Sequence, residues 1–296
     1  FYKTVSLSNI SFLQMKTKKK VVRVQQVDKD IPIEFYRIEA IGDLFEVEGH
    51  YQYDFYQIYW FTEVLTPHYQ EIDFISYPVK AQEIWIIYPG QVHQLDTHYS
   101  KGYCLGIDKN YFHSVLFKEA KQRAFTGHNQ LKFAVTPEEA QRLGYLHLLI
   151  EMEYNTFKRP TVLEQYLQLY IVHLQDLPVI SPQHVVLDER VHKILQLIEE
   201  HYSTQRNNEF YADLVSLSVK RMNEILFQAI GKTVKQQLQE RLLLEAKRLV
   251  GYSEDTIQRI AHALNFSDVT YFNRFFKKCT GKTPKDFRTE VKKVQE

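Results

Sequence analysis

The stretch that most constrains this chain runs from Thr256 to Arg288: TIQRIAHALNFSDVTYFNRFFKKCTGKTPKDFR. Ile257, Ile260, Ala261 and Leu264 fall at i, i+3, i+4 and i+7, one apolar face of a helix. Asn265 interrupts the run, and Asn tolerates a left-handed backbone better than most residues, so it suits a tight turn. Asp268 is a good N-cap for a second helix. That helix buries Val269, Phe272 and Phe276, and turns Thr270, Asn273, Arg274, Lys277 and Lys278 outward. Gly281 ends it. Thr283-Pro284-Lys285-Asp286 then supplies an N-cap, a proline at the first helical position and an acid at N3. The stretch reads either as a plain helical hairpin with a solvated basic face or as a helix-turn-helix motif.

The pattern occurs twice. Ala212 to Ser218, Met222, Leu226 and Gly231-Lys-Thr-Val match Ala261 to Asp268, Phe272, Phe276 and Gly281-Lys-Thr-Pro, about fifty residues on. Val234, Leu238, Leu242, Ala246 and Leu249 mark one long helix between the two units. Ahead of them Asp188 caps a helix whose buried face is Val191, Ile194, Leu195, Ile198 and Tyr202.

The string Ile-Ala-x-x-Leu-x-Phe-x-Asp-x-x-Tyr-Phe-x-Arg-x-Phe-Lys-Lys-x-x-Gly-x-Thr-Pro-x-x-Phe-Arg resembles the signature of the AraC/XylS family of bacterial transcription regulators. Asn265 departs from it where the family usually has Gly, and Leu226 stands where the family often has Phe. The resemblance implies two recognition helices that enter successive segments of the major groove. In the first unit the DNA-contacting role falls to Lys220, Arg221, Asn223 and Glu224. In the second it falls to Val269, Thr270, Asn273 and Arg274, with Lys277 and Lys278 on phosphates. Val185 to Glu296 holds about 19 Lys and Arg against 15 Asp and Glu, which leaves about 18 against 21 elsewhere. The C-terminal part is therefore modestly basic, as a DNA-binding segment would be.

Upstream the character changes. From Ile33 to Ile107 short runs rich in Tyr, Phe, Ile, Val and Trp alternate with turn residues. Candidate strands are Glu34–Glu39, Leu44–Glu48, Asp54–Thr62, Glu71–Tyr77, Ile84–Tyr88 and Tyr103–Ile107. Such spacing predicts an all-β barrel or sandwich. Trp85-Ile-Ile-Tyr-Pro-Gly-Gln-Val-His93 resembles the cupin-like sensor barrel of the same family. In cupin enzymes a His-x-His pair joins a later His around a metal. Here the matching position reads Tyr51-Gln52-Tyr53, so no metal, no cofactor and no catalytic residue is expected. The interior is expected to bind instead. Tyr51, Tyr53, Tyr56, Tyr59, Trp85, Tyr88 and His93 are candidates to line an effector site for a sugar, polyol or aromatic metabolite. Alternation lets only about half of such residues face inward, and the alternative for each is simple core packing.

The expected fold class is α+β and multidomain: a cupin-like β-barrel with following helices, then an all-α domain with two helix-turn-helix motifs joined by a long helix. Residues 1–30 form an arm with a basic run at Lys16–Lys20, either solvated or folded over the pocket. Residues 31–108 form the barrel, 109–177 a helical dimerisation region, 178–185 a two-proline linker, and 186–296 the DNA-binding domain. Cys104 and Cys279 form no metal or redox motif. No apolar run approaches a membrane span, so membrane is not an expected partner. The function that follows is a cytoplasmic, ligand-responsive transcription regulator, an activator acting as a homodimer. Its partners are double-stranded DNA and a small-molecule effector, with RNA polymerase as a further candidate. The alternatives are a cupin-type enzyme with an accessory helical domain, or a regulator whose barrel only dimerises or docks partners.

Overall fold

The computed structural model describes residues 22–24, 33–44, 50–94, 98–112, 131–180 and 189–294. Most of the N-terminal arm, residues 45–49 and most of the linker lie outside this range. The strands make two five-stranded sheets. The first has the order β1-β3-β8-β5-β6, formed by Val22–Val24, Tyr51–Tyr53, Val92–His93, Tyr69–Ile72 and Ile75–Pro78. The second has the order β10-β7-β4-β9-β2, formed by Leu131–Ala134, Glu83–Ile87, Tyr56–Val64, Ser100–Ile107 and Ile33–Arg37. Among the described residues the sheets face each other as a sandwich and do not close into the expected barrel.

Alternation decides what each face of the second sheet meets. Ile58, Trp60, Ile84, Ile86, Leu105 and Phe133 point away from the first sheet. They bury against α2 (Pro137–Met152) and α3 (Pro160–Asp176) through Leu143, Leu146, Ile150, Leu163, Leu167 and Leu174. Tyr59, Phe61, Trp85, Ile87 and Cys104 point the other way, toward Ile72 and Val79 of the first sheet's side.

Three expectations need correction. The run Glu34–Glu39 is strand only to Arg37, after which α1 (Ile38–Leu44) takes over, so Leu44 is helical rather than the start of a strand. The run Glu71–Tyr77 is a hairpin, not one strand, because Asp73 and Phe74 both take positive φ. The region after residue 109 is not all helical. Leu131–Ala134 pairs with β7, and Val179 bridges to Phe133, so the sheet extends past the expected boundary into the expected linker.

The C-terminal helices are α4 (Glu189–His201), α5 (Asn208–Leu214), α6 (Val219–Ile230), α7 (Val234–Tyr252), α8 (Ile257–Ala263), α9 (Val269–Thr280) and α10 (Pro284–Val294). The sequence repeat is a repeat of hydrogen bonds. Ser216 and Asn265 take φ of 53° and 55°. Leu217 N donates to Ala212 O at 3.0 Å, and Phe266 N to Ala261 O at 2.9 Å. Ser218 and Asp268 cap the second helix of each unit, and Gly231 and Gly281 close it in the left-handed conformation that glycine adopts without a Cβ clash. The N-terminal half of α7 joins the core of the first unit, with Met222 and Leu226. Its C-terminal half joins that of the second, with Phe272 and Phe276.

Candidate functional site

Two surfaces combine chemistry with accessibility or unsatisfied polarity. The first is the outer face of α6 and α9. On α9, Thr270, Asn273, Arg274, Lys277 and Lys278 are exposed and Val269 is half-buried. All of these but Lys278 border a cleft of about 430 Å³, lined also by Ile257 and by Thr283, Pro284 and Lys285 at the start of α10. A helix N-terminus beside three cationic side chains suits an anion such as a phosphate. Phe272 and Phe276 hold α9 from behind, fully buried.

On α6, Lys220, Arg221 and Glu224 are exposed. Arg221 pairs with Glu224 at 3.3 Å, so the acid attenuates the one guanidinium of this face. Asn223 is committed elsewhere. Its Nδ2 donates to Val219 O and its Oδ1 accepts from Val234 N, both at 2.9 Å. It thus ties α6 to the start of α7. Asn273, its counterpart in the repeat, is exposed instead.

The second surface is the interior between the sheets. His93 is buried, with Nε2 3.5 Å from the Tyr59 hydroxyl. The Tyr53 ring lies 5.7 Å from it, and Tyr51 stacks on Tyr53. Burial lowers the His93 pKa to about 4, so the ring is neutral near neutrality. Burial also raises the Tyr59 hydroxyl, and it pushes the Cys104 thiol to about 12. Trp85 donates Nε1–H to Glu83 at 2.8 Å. Lys132 reaches in from β10 and lies over Trp85 and Tyr77, and burial lowers its pKa to about 8.

Of the seven sequence candidates, Tyr51, Tyr53, Tyr59, Trp85 and His93 belong to this region. Tyr56 and Tyr88 do not. They lie on the face toward α2 and α3, where Tyr56 stacks on Phe112 at 4.1 Å. Sequence reasoning passed over Gln57 and Gln70. Both are buried, the whole Gln70 amide and the Gln57 Oε1 have no hydrogen-bond partner, and neither does Nδ1 of His93. Alternation was the available signal: Gln57 shares a face with Tyr59, and Gln70 with Ile72. No group of three or more His, Cys, Asp or Glu side chains among the described residues is placed to hold a metal ion. No described helix is long and apolar enough to cross a membrane.

A helix-turn-helix domain family matches residues 211–290. Over 101 residues the chain is 35% identical to the HTH-type transcriptional activator RhaS of Pectobacterium carotovorum subsp. carotovorum (strain PC1), covering 34% of this chain and 36% of that protein. Over 106 residues it is 31% identical to the arabinose operon regulatory protein of Escherichia coli (strain K12), covering 36% of each. Both relatives are regulators of transcription by name, not enzymes. The chain thus spans little more than a third of either relative's length. Among solved structures, unsaturated fatty acid bound wild-type ToxT from Vibrio cholerae strain SCE256 aligns with a TM-score of 0.43 at 13% identity, over 86% of this chain and 94% of that one.

Proposed function

We propose that this chain, whose C-terminal third is an AraC-type helix-turn-helix domain, is a cytoplasmic, ligand-responsive regulator that reads DNA with α6 and α9. The observation that carries the reading is the second unit: an exposed α9 face of Thr270, Asn273, Arg274 and Lys277 beside the N-terminus of α10. In the major groove Arg274 would pair bidentately with guanine, Asn273 would read adenine, and the Val269 side chain would touch a thymine methyl. Lys277, Lys278 and the start of α10 would take phosphates, which set register rather than sequence. In the first unit the role falls mainly to Lys220 and Arg221, since the Asn223 amide is engaged.

The inter-sheet interior is the effector site of this reading, and it stands in for the cupin-like sensor. Its unsatisfied groups are the Gln70 amide, Gln57 Oε1 and His93 Nδ1, all uncharged. Buried polar atoms of this kind favour a ligand that both donates and accepts. A hydroxylated sugar or polyol answers that need better than an apolar ring. The outer face of α2 carries Tyr145, Leu148, Leu149 and Met152 in exposed positions, continued by Phe157. An apolar strip of that kind supports a homodimer contact on this face, and activation through RNA polymerase completes the proposal.

The test is selection of duplexes by the purified chain from a randomised DNA pool at two salt concentrations, with and without a panel of sugars, polyols and aromatic metabolites. The expected result is a site with two half-sites, each about two helical turns long, bound more weakly at high salt. A polyol or sugar from the panel should shift the affinity. Absence of any selected sequence would overturn the DNA-reading proposal, and a selected site indifferent to the whole panel would overturn the effector proposal.

A further inference from the structure

The β5–β6 hairpin has an unusual tip. Asp73 and Phe74 take φ of 48° and 69°, the positive pair that a two-residue hairpin requires. Glycine or asparagine meets that requirement at least cost. A bulky ring there is an outlier that needs a compensating contact. Phe74 finds one on the C-terminal domain. Its ring stacks on Tyr252 at 4.8 Å and meets Phe287 edge-on at 5.6 Å. Tyr252 ends α7 and Phe287 belongs to α10, so the ring sits at their joint. Gly251 makes room for it: a Cβ there would stand 3.3 Å from the Phe74 ring.

Asp73 grips the same place by charge. Arg248 of α7 forks onto it, Nε to Oδ1 and Nη2 to Oδ2, both at 2.7 Å. Gln91 Nε2 and Val92 N complete the carboxylate's bonds at 2.9 and 3.1 Å. The ladder continues through the C-terminal domain. Arg248 reaches Glu245 at 3.2 Å, Glu245 takes Arg241 at 3.1 Å, and Arg241 forks onto Glu199 of α4. Alongside, the Tyr252 hydroxyl donates to Glu71 at 3.2 Å.

We propose that this hairpin tip is a releasable latch, which holds the DNA-binding domain against the sheets and lowers its affinity for DNA until it opens. The proposal rests on the DNA-reading role above and adds its regulation. Three observations carry it. Beside the single aromatic wedge the contact is ionic and hydrogen-bonded, through Arg248 on Asp73 and Tyr252 on Glu71, and such groups are well solvated once parted, so burying them returns little net stability and the open form lies within reach. Two of the bonds that orient Asp73 come from Gln91 and Val92, directly before His93, so a ligand touching His93 acts one peptide away from the clamp. The wedge sits between α7, which carries both units, and α10, whose first turn borders the α9 cleft. If DNA selects the open form, apparent affinity scales with the open fraction, and a latch open a tenth of the time weakens binding about tenfold.

The experiment uses the 296-residue chain and two variants, Asp73→Asn and Phe74→Gly. The second suits the positive-φ turn, so it removes the wedge without harming the hairpin. Radius of gyration by small-angle X-ray scattering and Kd for the duplex selected by the wild-type chain are measured on each. Expansion of both variants with about tenfold tighter binding and unchanged sequence preference is expected. Unchanged dimensions, or expansion with equal or weaker binding, would overturn the latch alone. A wild-type chain that selects no duplex would overturn the DNA reading, and with it the restraint on that reading.

Discussion

His147 sits on α2 in a box of rings, with Trp60 at 5.0 Å, Tyr103 at 4.4 Å and Tyr170 at 5.0 Å, and its Nδ1 donates to Leu143 O at 2.8 Å. Burial lowers its pKa to about 4, as it does for His93. In the unfolded chain each would titrate near 6.5. The unfolded state therefore binds more protons between those values, and stability falls as pH drops from about 6.5 toward 4. Each histidine contributes on the order of 1–2 kcal/mol of that loss by about pH 5. Urea midpoints at about pH 7 and pH 5 should differ less in His147→Phe than in wild type. An equal drop would place the proton uptake elsewhere. The DNA face makes a second residue-scale prediction. Arg274→Ala should cost about 1–3 kcal/mol at one base position and relax preference there. Asn223→Ala should instead lower thermal stability and leave base preference intact, because its amide caps α7. Repeating the site selection with both variants separates the two. The sequence made Asn223 and Asn273 look equivalent, since they occupy matching places in the repeat. What separates them is the peptide N–H of Val234, which donates to the Asn223 amide: the matching residue of the second unit is Pro284, which has no N–H to offer, so the difference lies in Gly-Lys-Thr-Val against Gly-Lys-Thr-Pro.

At the scale of elements, the C-terminal helices were legible because their signals are local. Thr233 and Gln236 form a full capping box, and Pro284 follows Thr283 as the first residue of α10. The sheets were less so. Their strands pair across large separations, β10 with β7 and β2 with β9, and period-two patterns of four or five residues, as in β10, β7 and β2, do not fix partners. The split of Tyr56 and Tyr88 from the other aromatics follows from the same limit: both faces of the second sheet are buried, so composition does not tell them apart. The exposed strip on α2 carries a prediction of its own. Leu148→Asp with Met152→Asp places two charges on a face whose side chains are exposed and join no core cluster among the described residues, so folding should be untouched while self-association is lost. Sedimentation equilibrium should move from dimer to monomer with an unchanged circular dichroism spectrum. A wild-type chain that is already monomeric would remove this face from the proposal.

Across the whole molecule, a net charge of +1 on 296 residues gives little long-range attraction for a polyanion. In the proposed DNA reading the electrostatics are then local, assigned to Lys220, Arg221, Arg274, Lys277, Lys278 and the first turn of α10. This has a measurable form. The logarithm of the binding constant should fall linearly with the logarithm of salt concentration, with a slope of about 0.9 for each phosphate neutralised. Lys277→Ala should reduce that slope by about one phosphate's share and weaken all sequences alike. Arg274→Ala, if it pairs with a base, should leave most of the slope and change the preferred sequence. The acidic neighbours sharpen the test: Glu224 lies 3.3 Å from Arg221, so Glu224→Gln should free that guanidinium and steepen the slope through the first unit. A slope unchanged in Lys277→Ala and Glu224→Gln alike would mean that neither α9 nor α6 approaches the backbone, and the paired-helix reading of the domain would fall with it.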